Sequence, residues 1–215
     1  MLVLPRRTDD FTGTLSAFWV RRNGSTNPLT SSGRLTCNTT NGFYPAEYIA
    51  RATPTRDQYV AVTLAQLAAG TAGGAASGLM LRCPNSSSPG TVVLAYFTNR
   101  QMGIATMTGW TGGGFTWRAD AVNYNGGADA EVGSRIEFLV VDDVFRTFVN
   151  GVQINAWDDT GNIANQNARY GGALIQRGND GTATGQMAFD DFAFGPPHPI
   201  NIPMPQQAVG RAGFY

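Results

Sequence analysis

The sequence predicts an all-β protein: a two-sheet antiparallel sandwich followed by an extended proline-rich C-terminal arm. Three observations predict it. Apolar residues make up 42% of the 215 positions, enough for a sizeable core, whereas charged residues make up only 14%. Glycine is abundant, at 27 residues, and Ser, Thr and Asn cluster between short apolar runs, the composition of many short strands joined by turns. The third is a stretch near residues 134–157 that alternates with period two and is punctuated by turn pairs. A chain of this length fits one large sandwich or two small domains.

Taken in order, the first strand candidate is residues 34–38, Arg-Leu-Thr-Cys-Asn, short and alternating. Residues 58–64 place Tyr59, Ala61 and Thr63 on one face and Val60, Val62 and Leu64 on the other. Residues 65–69 are the one helical-looking piece, a short helical turn or loop cut off by Gly70 and Gly73-Gly74. Residues 78–82 and 91–97 are apolar on both faces, as inner strands of a sandwich should be. The clearest signal follows. Ile136, Phe138 and Val140 alternate up to the turn pair Asp142-Asp143, and residues 145–149 then run into Asn150-Gly151 before Val152-Gln153-Ile154. Asn-Gly supplies the positive φ angles of a type I′ turn, so the three segments form an antiparallel meander. Residues 187–194 are the last strand. Beyond Gly195, five prolines in the ten residues 196–205 bar both helix and sheet interior, so this arm is extended.

Charge excludes some functions. All 15 basic residues are arginine, they balance 15 acids, and they are scattered, which argues against nucleic acid as a partner. The absence of lysine points to a GC-rich coding sequence. Residues 1–7 hold too short an apolar run for a signal peptide, and no run approaches the roughly 20 residues that would span a membrane. Cys37 and Cys83 read as two buried thiols in strands; their spacing supports neither a disulfide nor a metal pair.

The order of pieces also resembles a known family. Asp9-Asp10-Phe11 with Trp19 downstream, Gln58 to Val62, and Ser77 to Arg82 form one half of the likeness. Val132 to Phe138, Phe148-Val149-Asn150-Gly151, Tyr170-Gly171-Gly172 and Phe189 to Gly195 form the other. Together they are similar to the concanavalin-A-like lectin/glucanase sandwich in its laminin-G-like form, a jelly roll. The resemblance spans residues 9–195, leaving 1–8 as an N-terminal segment and 196–215 as the arm. It implies that the first and last segments, Asp-Asp-Phe and Phe-Asp-Asp-Phe, lie near each other. With the lysine-free composition, the chain further resembles minor tail and other virion proteins of phages of GC-rich actinobacteria.

Catalytic parts are scarce. Glucanases of this fold present two carboxylates from one strand, and retaining hydrolysis needs a pair about 5 Å apart. The three glutamates, Glu47, Glu131 and Glu137, form no such pattern, and Asp129 with Glu131 sits between glycines in a loop. The only histidine, His198, is wedged between prolines; Gly112-Gly113-Gly114 lacks the Lys-Ser/Thr of a phosphate loop and reads as a flexible loop. No catalytic residue is therefore named, and no cofactor is expected.

Binding candidates are aromatic residues in glycine- and asparagine-rich stretches: Trp110, Phe115 and Trp117, then Tyr124 beside Asn123 and Asn125, then Trp157. Sugars stack their C–H faces on such rings, although the same rings can cap the ends of the core. Trp19 is expected in the core. Asp158, Asp159 and Asn162 are weak calcium candidates, as are Asp142 and Asp143, since turns alone also select these residues. Asp190 and Asp191 in the final strand need backbone or arginine partners. The expectation is a non-enzymatic virion structural protein, a minor tail protein whose sandwich serves host-surface glycan attachment or assembly. Its partners would be other virion proteins and sister subunits, reached through the arm. A capsid decoration protein, or a glycoside hydrolase or lyase with an unrecognised carboxylate pair, are the alternatives.

Overall fold

The computed structural model describes residues 6–23, 28–37, 42–68, 76–88, 90–177 and 186–197. Fifteen strands and no helix are found among them. In chain order they are β1 (Arg7–Asp9), β2 (Trp19–Arg21), β3 (Leu29–Ser31), β4 (Arg34–Thr36), β5 (Gly42–Tyr48), β6 (Gln58–Gln66), β7 (Ser77–Cys83) and β8 (Val92–Phe97). There follow β9 (Gln101–Met107), β10 (Thr116–Asn123), β11 (Arg135–Val141), β12 (Val144–Val149), β13 (Val152–Asp158), β14 (Tyr170–Arg177) and β15 (Ala188–Gly195). They build two antiparallel sheets. One has eight strands in the order β13-β12-β11-β6-β15-β4-β3, with β1 added against β15; the other has seven, β10-β9-β8-β7-β14-β5-β2.

Period-two alternation sorts the side chains between the sheets and the outside. Val60, Val62 and Leu64 of β6 enter the central core with Ile136, Phe138 and Val140 of β11, and meet Leu79, Val93, Ala95, Phe97 and Ile104 from the other sheet. Tyr59 and Ala61 face the opposite way, into a smaller cluster with Leu139 and Phe148. The meander forms as its turn chemistry dictates. Asp142 and Asp143 have φ of 50° and 63°, and Asn150 and Gly151 have φ of 50° and 79°, both central residues positive as a type I′ turn requires.

The first and last segments do meet: Asp9 pairs with Phe192 and Arg7 with Phe194. The Asp9 carboxylate accepts from the Phe11 amide at 2.8 Å and from the Trp19 indole at 2.9 Å. This locks Phe11 and Trp19, both buried, around Phe192, whose ring lies 4.6 Å from that of Trp19. Asp190 and Asp191 sit where β15 bulges between Asp190 and Ala193; Asp191 takes φ 47°, and its carbonyl accepts from Arg135 at 2.6 Å.

Several expectations are corrected. Of residues 65–69, read as a short helical turn or a loop, Ala65 and Gln66 extend β6 through its ladder with β15, Leu67 and Ala68 follow as loop, and Ala69 lies outside the described residues. Of the glycine- and asparagine-rich stretches, Trp117 and Asn123 lie near the two ends of β10, and Trp157 and Asp158 belong to β13. Cys37 lies just past β4 and not within it; both cysteines are buried and no disulfide joins them. Strands β5, β9 and β14 carry Pro45, Gly103 and Gly171-Gly172, which blunt the sequence signal. In β14 the glycines serve packing. A Cβ on Gly172 would lie 2.2 Å from the Ala46 carbonyl oxygen, and one on Gly171 would lie 2.6 Å from the Phe194 ring. The arm beyond Pro197, with His198, and residues 1–5 of the N-terminal segment lie outside the described residues.

Candidate functional site

The outward face of the seven-stranded sheet carries an apolar cluster of its own. Alternation in β8 sends Val93, Ala95 and Phe97 inward, and Val92, Leu94 and Tyr96 outward. Beside them, Met80 of β7, Met107 of β9 and Leu174 of β14 complete an outer cluster that one tryptophan covers. Trp110 is only 4% exposed, and its indole N–H donates to the Ser86 carbonyl at 3.0 Å. Arg22 approaches the same ring, with its guanidinium carbon 5.8 Å from the centroid. Arg22 is also ion-paired to Glu47 and donates to the Asn85 side chain at 2.8 Å. Glu47, fully buried, accepts from the Asn85 amide at 2.5 Å. Burial pushes the Glu47 carboxyl above its ordinary range, against the opposing pull of the Asn85 amide and Arg22. Trp110 is thus buried as a cover over the outer cluster, with the segments holding Ser86 and Asn85 folded over it.

Next to this cover, four rings gather in partial contact with solvent. Tyr96 lies 6.4 Å from Phe43, 5.1 Å from Phe115 and 5.9 Å from Trp117, measured between centroids. Phe115 and Trp117 meet edge-to-face at 5.1 Å. The Tyr96 hydroxyl donates to the Gln176 side chain, and burial pushes its phenol up to about 12. Trp117 is the most open of the four, at 41% exposure. Its indole rests on Gly103 of the neighbouring strand, where a Cβ would come within 2.5 Å of the ring and 2.8 Å of the Ala119 carbonyl oxygen. A rigid, half-exposed aromatic platform of this kind can stack a flat apolar face of a ligand at little conformational cost.

Of the rings named from the sequence, Phe115 and Trp117 come together here. Tyr124 does not join them: it packs against the central core and its hydroxyl donates to the Thr98 carbonyl at 2.6 Å, while burial raises its phenol. Trp157 sits in the other sheet, stacked on Phe145 at 5.2 Å with Arg118 beside it. Sequence reasoning missed Phe43 and Tyr96. The alternation of residues 91–97 carried the signal for Tyr96, because it shares the outward face with Val92 and Leu94. Phe43 was hidden because its strand contains Pro45.

The three glutamates are dispersed. Glu47 is locked under the cover, Glu137 accepts from the Tyr59 hydroxyl at 2.6 Å on the outside of the eight-stranded sheet, and Glu131 lies in the loop before β11. Asp129 pairs with Arg100 at 2.6 Å. Two of the weak calcium candidates already have partners within the fold. Asp159 is buried and accepts from the amides of Ile163 and Ala164, both at 2.8 Å, so its oxygens point into its own turn. Asp143 is held by Arg56 and Arg82, both at 2.9 Å. Among the described residues no three His, Cys, Asp or Glu side chains converge as a metal site.

No family model matches the chain, and no curated protein matches it by sequence. Solved structures do match. A β-glucanase from Bacillus licheniformis superposes with a TM-score of 0.58 at 12% identity, covering 92% of this chain and 100% of that one. A family 16 endo-glucanase from Bacteroides ovatus gives 0.59 at 10% identity over 87% and 99%. The carbohydrate-binding module CBM66 from Bacillus subtilis gives 0.51 at 11% identity over 81% and 93%. The chain therefore has the jelly-roll sandwich fold found in these glucanases and this binding module.

Proposed function

We propose that this chain is a non-enzymatic glycan-binding sandwich, and that the platform of Phe43, Tyr96, Phe115 and Trp117 is its binding surface. The observation that carries the reading is Trp117, a large ring 41% exposed yet held in place by Gly103 beneath it and Phe115 and Tyr96 beside it. An exposed ring that is rigid has lost its side-chain entropy before any ligand arrives, which favours stacking on a sugar face. The fold likeness to a carbohydrate-binding module and to glucanases supports a saccharide ligand.

The non-enzymatic part rests on the same face. Its central strand directs Val92, Leu94 and Tyr96 outward, and its carboxylate, Glu47, is ion-paired beneath Trp110. Glycoside hydrolysis by the retaining route needs two carboxyl groups about 5–5.5 Å apart with access to substrate. We place the chain in a virion, as a minor tail protein that attaches to host-envelope glycans or joins the assembly through its arm. The lysine-free composition and the proline-rich arm support this. A capsid decoration protein shares the same chemistry and differs only in location, which immunogold labelling of particles distinguishes.

The test is retention of labelled protein on isolated bacterial envelopes and immobilised neutral glycans, for the native chain and Trp117→Ala. The expected result is saturable retention weakened at least about tenfold in the variant, as for loss of a central aromatic anchor. Retention indifferent to Trp117→Ala would remove the platform from the account. Release of reducing ends from the glycan would overturn the non-enzymatic reading.

A further inference from the structure

A groove of about 780 Å³ runs beside β1, away from the aromatic platform. Arg6, Arg7 and Arg135 line it, with Asp10, Asp191 and Phe18. Among the described residues, none of the three arginines lies within ion-pair distance of a carboxylate, although aspartates share the groove. Arg6 lies flat on Tyr59, its guanidinium carbon 3.6 Å from the ring centroid, and its buried Nε and Nη2 have no hydrogen-bond partner among the described residues. Arg135 is oriented by its bonds to the Asp191 carbonyl at 2.6 Å and the Thr63 hydroxyl at 3.3 Å, and neither partner is charged. Asp9 also lines the groove, but its two oxygens accept from the Phe11 amide, the Trp19 indole and the Ser16 hydroxyl, and it forms no ion pair with these arginines.

We propose that this groove binds an acidic oligosaccharide, whose uronate carboxylate is held by Arg6, Arg7 and Arg135. A uronic acid unit asks three things of a site: cationic donors for its carboxylate, acceptors for its hydroxyls, and an apolar surface for its ring. Planar guanidinium groups suit the first. The carboxylates of Asp10 and Asp191 supply the second, which accounts for acids standing among unpaired arginines. Phe18, 52% exposed and set edge-on to Tyr48 at 6.3 Å, supplies the third. The groove also has the volume of sites that enclose small ligands, about 300–1,000 Å³.

The experiment is calorimetric titration of the full chain with tetragalacturonate and with its methyl ester. Saturable binding of the acid is expected, at least about tenfold weaker for the ester and for Arg7→Gln, an exposed position whose change leaves the fold intact. Arg6→Lys keeps the charge, removes the planar stack on Tyr59, and is expected to weaken binding as well. Trp117→Ala is expected to leave this binding unchanged, so the result is read separately from that of the aromatic platform. The proposal is overturned by absence of saturable binding, by equal binding of the ester, or by indifference to both arginine substitutions. Oligoglutamate bound as tightly as tetragalacturonate would also overturn the saccharide assignment.

Discussion

The two outward faces of the sandwich are covered in opposite ways. On the seven-stranded sheet an outward apolar cluster is shut away by Trp110, anchored by Ser86, while Trp117 stays open seven residues later. On the eight-stranded sheet a smaller apolar cluster forms around Tyr59 and Leu139, and one arginine, Arg6, is laid over the tyrosine, whose phenol burial pushes up to about 12. A tryptophan cover excludes water by area; a guanidinium cover excludes it while keeping a charge at the surface. The first arrangement leaves a neutral aromatic surface beside the cover, and the second leaves a charged one.

Removing the larger cover should have the larger effect. Trp110→Ala uncovers Met80, Val92, Leu94, Met107 and Leu174 together and should destabilise the fold by about 3–5 kcal/mol in denaturant unfolding. A loss under about 1 kcal/mol would mean that the loops collapse onto the face without the indole, and the contrast between buried Trp110 and open Trp117 would lose its energetic meaning. Gly103→Ala comes next. Its Cβ meets the Trp117 ring and the Ala119 carbonyl oxygen, so overpacking of about 1–3 kcal/mol is expected, together with a shifted tryptophan fluorescence as the indole leaves its seat. An unchanged spectrum would show that Trp117 is not held by that contact.

The smallest effect concerns pH. Burial raises the Glu47 carboxyl above its ordinary 4.5, so the folded chain binds that proton more tightly than the unfolded chain does. Stability from this group is then fully present below pH 4.5 and is lost as pH rises through the raised value. Glu47→Gln should flatten that decline when urea unfolding is followed upward from pH 4.5. If the native chain instead gains stability over the same range through Glu47, the ion pair with Arg22 outweighs burial, and the cover over Trp110 is held chiefly by charge.

Much of the architecture was legible in the sequence because local rules act on consecutive residues. Period-two alternation assigned the two faces of residues 58–64, and Asp142-Asp143 and Asn150-Gly151 specified the meander through backbone angles that those residues adopt readily. The proximity of Asp9 to Phe192 came from the resemblance and not from periodicity, since it joins residues 183 positions apart. Strands β5, β9 and β14 escaped notice because Pro45, Gly103 and Gly171-Gly172 are poor strand residues on their own. The glycines are accommodated where a neighbouring backbone or ring comes too close for a side chain.

The candidate site divides along the same line. That aromatic residues cluster at 110–117 is a property of the sequence alone, and so is the lack of a glucanase carboxylate motif. Which of those rings is open was settled only by tertiary structure, because exposure depends on segments distant in the chain. Ser86 and Arg22 close over Trp110, whereas Phe43 and Tyr96, brought in by sheet pairing, turn Phe115 and Trp117 into a platform. The arginine groove is likewise invisible in sequence, since Arg6 and Arg135 are 129 residues apart and meet through the register of β1, β15, β6 and β11. Local backbone preferences are encoded residue by residue; burial, charge pairing and the emptiness or fullness of a surface are sums over the whole fold.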